Sequence, residues 1–336
     1  MEKKLFLNKP NKNNRLQFIK IFFFFVNILL LFLIYFYKKN KHINIAMSLT
    51  NKYTYPIMVS ITSILINSKD KTFINFHLLI GNDIQKDNLK KINSLKRIKK
   101  KVAFHFHNVG NKFKGWIHGR NRTVASFYRI ILGEILPNIN KIIYLDGDTL
   151  TYNDLSEMYQ INMDNLYFRG VGEPKWIHRK DKKRFICAGV MIMNLKLIRM
   201  HKVYDKFRNY YLNYYYKGIY YGDQYIINEL FNNKIGFLPP RFGIWIINNK
   251  TIQKYKNSPY LIYNVEELIA SDKNPVIRHI WGVNQKGDDI YRKPWISNQS
   301  DKINYDWNFY AKKTGYYSSI CNFFKKACLL QNKNNY

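Results

Sequence analysis

The chain has 336 residues, 46% of them hydrophobic, and carries 55 Lys and Arg against 22 Asp and Glu, a formal net charge of +33. A chain of this length and apolar content buries a sizeable core as one large domain or two small ones, which excludes long disorder. Three cysteines, Cys187, Cys321 and Cys328, are too few and too spread for a disulfide framework or a zinc site, and they say little about redox compartment. The positive charge admits a polyanionic partner such as nucleic acid, an anionic membrane face or a phosphorylated small molecule. The lysines are scattered through every segment, however, and Lys, Asn, Ile, Tyr and Phe are all heavily used, as in AT-rich coding. Codon bias is the better reading of the charge.

The first candidate element is Ile21–Tyr37, "IFFFFVNILLLFLIYFY", uncharged and with Asn27 as its one polar residue. A helix of that length just spans a thin bilayer of roughly 27 Å. "YFYKKNKH" follows in place of a small-residue cleavage site, so the expectation is an uncleaved signal anchor. Lys3, Lys4, Lys9, Lys12, Arg15 and Lys20 precede it and Lys38, Lys39 and Lys41 follow, which orients a basic tail (residues 1–20) toward the cytoplasm. The expected placement is a single-pass type II membrane protein, with its catalytic part in the Golgi or endoplasmic reticulum lumen if the chain is eukaryotic. The sequons at Asn121, Asn249 and Asn298 permit N-glycosylation there.

From His42 short apolar runs alternate with helical stretches. "INIAMSLT", "INFHLLIGN", "KVAFHFHNV" and "KIIYLDGD" read as strands. "YPIMVSITSILINS", "KDNLKKINSLKRIKK" and "TVASFYRIILGEIL" read as helices, the last stopped by Pro137. Further strands, "FICAGVMIMNL" and "VIRHIWG", and helices around "VYDKFRNYYLNYYY" and "DQYIINELF" follow. This alternation argues for an α/β domain with a largely parallel sheet and covering helices. There is no G-x-G-x-x-G and no P-loop, so a dinucleotide fold and a P-loop nucleotidase are excluded.

"KIIYLDGD" ends in Asp146-Gly147-Asp148. In open α/β sheets ligands bind beyond the carboxyl ends of strands. Two carboxylates separated by a glycine that lets the backbone turn can reach one hard cation, Mn²⁺ or Mg²⁺, with phosphate oxygens completing its shell. Asp-Gly is also an ordinary turn dipeptide, and alone it decides nothing.

The run "ASFYRIILGEILPNINKIIYLDGDTL" resembles glycosyltransferase family 8, the group containing glycogenin and the bacterial lipopolysaccharide galactosyl- and glucosyltransferases. Further motifs appear in the family's order over roughly Ile43 to Trp295: "SLTNKYTYP", "SFYRIILGEILP", "FICAGVMIMNL", "YYGDQYIIN", and "HIWG" followed by "KPW". The resemblance implies a GT-A type nucleotide-sugar-binding domain, a Rossmann-like mixed sheet flanked by helices, over residues 42–298. A basic, aromatic C-terminal extension, 299–336, follows. It implies that Thr50 and Asn51 hydrogen-bond uracil or ribose, that Tyr53 stacks on the base, and that Arg129 contacts the nucleotide-sugar. Asp146, Asp148 and His279 are the implied metal ligands, with Gly282 and a lysine from the last motif at the diphosphate and Cys187 and Ala188 beside the donor sugar.

Three departures stand out. An insertion separates Gly282 from Lys293-Pro294-Trp295, so either Lys286 or Lys293 is the phosphate lysine, and the Pro-Trp context favours Lys293. Cys187 stands where the family has asparagine. Tyr225 stands where it has a second aspartate, while Asp223 and Gln224 are retained. The family retains anomeric configuration, and an amide at Gln224 is a poor nucleophile. The expectation is therefore same-face attack, with Asp223 positioning sugar hydroxyls and Gln224 stabilising the oxocarbenium-like centre. Glu173 is a further candidate beside the donor sugar.

The expected function is a retaining, Mn²⁺-dependent transfer of a hexose from UDP-glucose or UDP-galactose to a glycan, protein or lipid-linked acceptor. The alternatives are a degenerate member that binds UDP-sugar without transferring it, motivated by Cys187 and Tyr225, and a basic membrane- or nucleic-acid-binding protein. A nucleic-acid binder would interleave aromatic residues with Arg and Lys on one element, whereas the aromatics here mostly alternate as core positions, and the expected anchor argues against access to DNA.

Overall fold

The fold comes from a computed structural model that describes residues 19–31, 41–118, 123–172, 185–220, 222–244, 256, 262–280, 293–295 and 302–324. The chain divides into two units, 1–41 and 42–336.

In the first unit, residues 19–31 are helical, a rise of roughly 20 Å at 1.5 Å per residue, short of a roughly 27 Å bilayer. Among the described residues no helix is long and apolar enough to cross a membrane. The expected transmembrane anchor over 21–37 is therefore corrected, and the type II topology and lumenal placement that rested on it fall with it. Residues 32–37 of that span lie outside the described residues.

The second unit is built on strands β1 (Lys41–Leu49), β2 (Thr72–Ile80), β3 (Val102–Asn108), β4 (Lys141–Leu145), β6 (Phe168–Gly172), β7 (Ile186–Asn194) and β8 (Ile235–Phe237), which form one seven-stranded sheet in the order β3-β2-β1-β4-β7-β6-β8. β1 runs parallel to β4 and β2 to β3, whereas β7 is antiparallel to both β4 and β6. The sheet is therefore mixed: the expected parallel pairing is found for β1 with β4, β2 with β3 and β6 with β8, and the strands beside β7 run against it. β5 (Thr149–Thr151) and β9 (Ile277–His279) form a separate antiparallel ribbon.

Side chains alternate across a strand, so each strand feeds two cores. Ile43, Ile45, Met47, Ile143, Leu145, Val190 and Ile192 point into one cluster; Ala46, Ile142, Tyr144, Met191 and Met193 point into the other. Helix α1 (Thr54–Asn67) is buried from Thr54 through Leu65, as expected for a helix apolar on nearly every side. Around the sheet lie α2 (Lys86–Ser94), α3 (Val203–Tyr215), α4 (Asp223–Leu230) and α5 (Val265–Lys273), then α6 (Lys302–Lys313) and α7 (Tyr317–Phe323). Ile303, Trp307, Tyr310 and Ala311 of α6 and Ile320 of α7 join the core that α1 occupies.

The helix expected from "TVASFYRIILGEIL" is instead a 3₁₀ stretch, Val124–Ile131, followed by one α turn, Leu132–Ile135. The Thr123 hydroxyl accepts from the Ala125 amide at its start, 3.2 Å.

Candidate active site

Two strand registers assemble the site. In the β4–β7 pair Leu145 faces Val190, and the Asp146 amide donates to the Gly189 carbonyl at 2.8 Å, which lays Cys187, Ala188 and Gly189 beside the Asp146-Gly147-Asp148 turn. In the β5–β9 ribbon Thr149 faces His279, and the Ile280 amide donates to the Asp148 carbonyl at 2.8 Å. His279, more than a hundred residues away in the chain, thereby meets both carboxylates. Its Nε2 lies 3.2 Å from Asp148 Oδ1 and 3.9 Å from Asp146 Oδ2.

The ligand atoms of Asp146, Asp148 and His279 all fall within 4.8 Å of one another. Two hard oxygens and one nitrogen at that spacing fit a divalent cation such as Mn²⁺ or Mg²⁺. The space is kept open by Gly189: a Cβ there would overlap the His279 ring and the Asp146 carboxylate. Gly147 lies close against Ile57 and Tyr53 in the same way.

Lys293 donates to Asp148 Oδ2 and to the Ile280 carbonyl, and its ammonium lies 5.6 Å from the Trp295 ring centroid. Burial disfavours charge on Asp148, but Lys293 and His279 hold its carboxyl well below the usual carboxylate range. Burial likewise opposes protonation of His279, and the Cys187 sulfur and Asp148 more than offset it, raising its pKa well above the ordinary imidazole value. Cys187 Sγ is 3.3 Å from His279 Nδ1, on the side of the ring away from the carboxylates.

A second buried cluster adjoins the first. The Arg129 guanidinium, 3% exposed, donates to Asp146 Oδ1 at 2.9 Å, to the Ser126 carbonyl at 2.8 Å and to the Ala188 carbonyl; its Nε lies 3.0 Å from Asp223 Oδ2. Burial works against its charge, yet Asp146 and Asp223 raise its pKa further. Asp223 opens α4, and Gln224 beside it accepts from the Ala188 amide through Oε1 at 3.0 Å. Asn228, one turn on, accepts from the Ile186 amide at 2.7 Å and donates to the Ile186 carbonyl at 2.9 Å, pinning α4 to β7.

His118 was not singled out by its sequence surroundings. Its Nε2 lies 3.3 Å from Asp223 Oδ1, and both side chains are buried. The backbone of Gly222 lets the ring approach, since a Cβ there would meet it.

At the end of β1, Thr50 offers its carbonyl to the Tyr53 amide at 3.1 Å, and the Tyr53 ring lies edge-on to Trp295 at 6.1 Å. Asn51 uses its side chain on the loop after β2: Nδ2 donates to the Asp83 carbonyl at 2.9 Å, and Oδ1 accepts from the Gln85 amide and from Asn88, each at 3.0 Å. The structure thus gathers Arg129, Asp146, Gly147, Asp148, Cys187, Ala188, Asp223, Gln224, His279 and Lys293, with Tyr53 alongside. Glu173, Gly282 and Lys286 lie outside the described residues.

The sequence profile of glycosyl transferase family 8 matches residues 44–269, well over half of the chain. The chain belongs to this family. A Haemophilus influenzae protein whose name provisionally assigns it as a glycosyltransferase is 27% identical over 223 residues, 63% of this chain and 66% of its own length. Among solved structures, the bifunctional glycosyltransferase WbbM in its apo form superimposes with a TM-score of 0.65 at 16% identity, covering 84% of this chain and 52% of that one. The galactosyltransferase LgtC, in complex with donor and acceptor sugar analogs, superimposes with a TM-score of 0.60 at 20% identity, covering 81% of this chain and 95% of that one. The chain thus spans just under two thirds of the Haemophilus protein and about half of WbbM. The two structural likenesses establish a GT-A-like α/β fold with a mixed sheet.

Proposed function

We propose that this family 8 glycosyltransferase is a retaining, Mn²⁺-dependent enzyme that transfers a hexose from UDP-glucose or UDP-galactose to a carbohydrate, glycoprotein or glycolipid acceptor. The observation that carries the proposal is the convergence of Asp146, Asp148 and His279 at the carboxyl end of β4, with Lys293 on the same carboxylate. When bound there, a divalent cation supplies Lewis-acid stabilisation of the leaving diphosphate.

The chain's own residues supply the rest in this proposal. Thr50 and Tyr53 hold the uridine, and Asn51 contributes by holding the loop after β2 in place. Lys293 moves from Asp148 to the diphosphate, where negative charge grows as the glycosidic bond breaks. Arg129, fixed between Asp146 and Asp223, sets the distance between the diphosphate end of the site and the sugar end. Asp223 orients sugar hydroxyls. Gln224, its carbonyl oxygen turned toward the Ala188 amide, lies beneath the anomeric carbon as an amide that cannot form a stable glycosyl ester. That chemistry favours same-face attack within an ion pair over double displacement.

The test is release of UDP by the purified protein from a panel of UDP-sugars, with and without Mn²⁺. Mn²⁺-dependent hydrolysis of one hexose donor above the others supports the proposal. UDP binding without hydrolysis of any donor would favour the degenerate reading, for which Cys187 at the asparagine position is the specific motive. Failure to bind UDP at all would reject both.

A further inference from the structure

On the sheet face opposite α1, at the edge formed by β2 and β3, three histidines lie together. The parallel register pairs His77 with His105, and His107 follows two residues along the same face of β3. His77 Nδ1 and His107 Nε2 are 3.1 Å apart, and the His77 ring stacks on His105 at 5.0 Å and on His107 at 5.3 Å. β2 and β1 separate β3 from β4, which carries the Asp146-Gly147-Asp148 turn.

The hydrogen-bond network fixes which nitrogen of His77 carries the proton. The Lys141 carbonyl can only accept, so the Tyr159 hydroxyl donates to it, 2.9 Å. That hydroxyl then accepts from Asn44 Nδ2, 3.0 Å, which turns Asn44 Oδ1 toward His77 Nε2 at 3.4 Å. A carbonyl oxygen requires a donor, so His77 is protonated on Nε2 and presents a lone pair at Nδ1. Metal-binding histidines are commonly oriented this way, by an oxygen acceptor on the far nitrogen.

We propose that His77 Nδ1 and His107 Nε2 bind one late first-row divalent cation, of the Zn²⁺, Ni²⁺ or Cu²⁺ type, with His105 turning about its side-chain torsions to supply a third nitrogen. Two nitrogens each about 2.1 Å from a metal are about 3.0 Å apart at a right angle and about 3.4 Å apart at a tetrahedral one. The observed separation lies between these limits. His77 is 6% exposed, so its lone pair is held in place by packing, whereas His105 is exposed and able to turn. In the metal-free protein His107 donates its Nε2 proton to His77; on binding, that proton shifts to His107 Nδ1 and the freed lone pair takes the metal. Burial and the neighbouring imidazoles lower the pKa of His77 to about 3, and that of His107 is also lowered, so both rings are neutral and ready to coordinate near pH 7. An all-nitrogen donor set favours the late metals over the Mn²⁺ or Mg²⁺ suited to the carboxylate site. The cation would cross-link edge strand β3 to β2.

The experiment uses the full chain carrying Asp146→Asn and Asp148→Asn, which removes the carboxylate site, titrated calorimetrically with ZnCl₂. One saturable equivalent is expected, unaffected by excess Mn²⁺, with affinity lowered about tenfold or more by His107→Gln. His107 lies toward the surface, so that variant should fold; His77 is too buried to be the first choice. Cu²⁺ bound to the same protein should show electron paramagnetic resonance hyperfine splitting from at least two nitrogens, simplified by His107→Gln. Absence of a bound equivalent in the double variant, or unchanged affinity and splitting in His107→Gln, would overturn the site. Unchanged affinity in His105→Gln would remove the third ligand.

Discussion

The Lys293 ammonium donates to the Asp148 carboxylate, one of the groups that converge on the candidate cation position. In the absence of nucleotide the lysine and the cation therefore repel each other. Lys293→Ala should bind Mn²⁺ about tenfold more tightly in a titration without UDP, because a like charge at close range is removed. The same variant should turn over roughly two to three orders of magnitude more slowly, the scale of losing one preorganised electrostatic group. Lys286→Ala should change neither quantity. Unaltered Mn²⁺ affinity and turnover in Lys293→Ala would reject its role at the diphosphate.

Cys187 Sγ lies against His279 Nδ1 where an oxygen acceptor would fix the ring more firmly. Restoring asparagine with Cys187→Asn should preserve or tighten Mn²⁺ binding. Cys187→Ala, which leaves Nδ1 without that contact, should weaken it by roughly tenfold. Equal affinities for both variants in the same titration would mean that the contact does not orient the imidazole.

Gly189→Ala adds a methyl group where the His279 ring and the Asp146 carboxylate already sit. The expected outcome is loss of measurable Mn²⁺ binding, with a cooperative urea transition shifted by roughly 1–3 kcal/mol, the usual cost of overpacking. A variant that binds Mn²⁺ like the parent would displace the cation site from this position.

His77 titrates at about 3 in the folded protein, lowered mainly by burial, against an ordinary value of 6.5. Below about pH 6.5 the unfolded chain takes up a proton that the folded chain refuses, so stability rises with pH across this window. The contribution is complete above about pH 6.5 and is lost as pH falls toward 3. Urea midpoints in chelating buffer should therefore drop more between pH 7 and pH 5 for the parent than for His77→Gln. Parallel pH profiles would contradict the burial argument.

Much of this was legible in the sequence because it is local. Alternating apolar residues mark β1 through β4, and Asp146-Gly147-Asp148 announces itself at the end of β4. His279 was reached through the resemblance carried by "HIWG", although only the β5–β9 register explains how it reaches Asp148. β5, β6 and β8 went unread because three to five residues carry too little period to separate a strand from a loop. His118 gave no local signal; its partner Asp223 lies 105 residues on. The hydrogen bonds of Asn51 to the loop after β2 gave no local signal either, because Asp83, Gln85 and Asn88 lie more than thirty residues on. The apolar run near the start was read as an anchor from composition alone, and among the described residues no helix is long and apolar enough to cross a membrane.

Helices α6 and α7 lie against α1: Tyr310 receives a hydrogen bond from Asn67 at 2.8 Å, and the Phe323 ring lies edge-on to Tyr55 at 5.2 Å. A ribosome making this chain produces α1 some 240 residues before its covering helix, the separation between Asn67 and Tyr310 being 243. Until α6 emerges, one apolar side of α1 must wait uncovered, a long exposure for so sticky a surface. Folding around α1 is thus timed by a helix made late in synthesis, and a nascent chain stalled before residue 302 should be a client for chaperones rather than a finished fold.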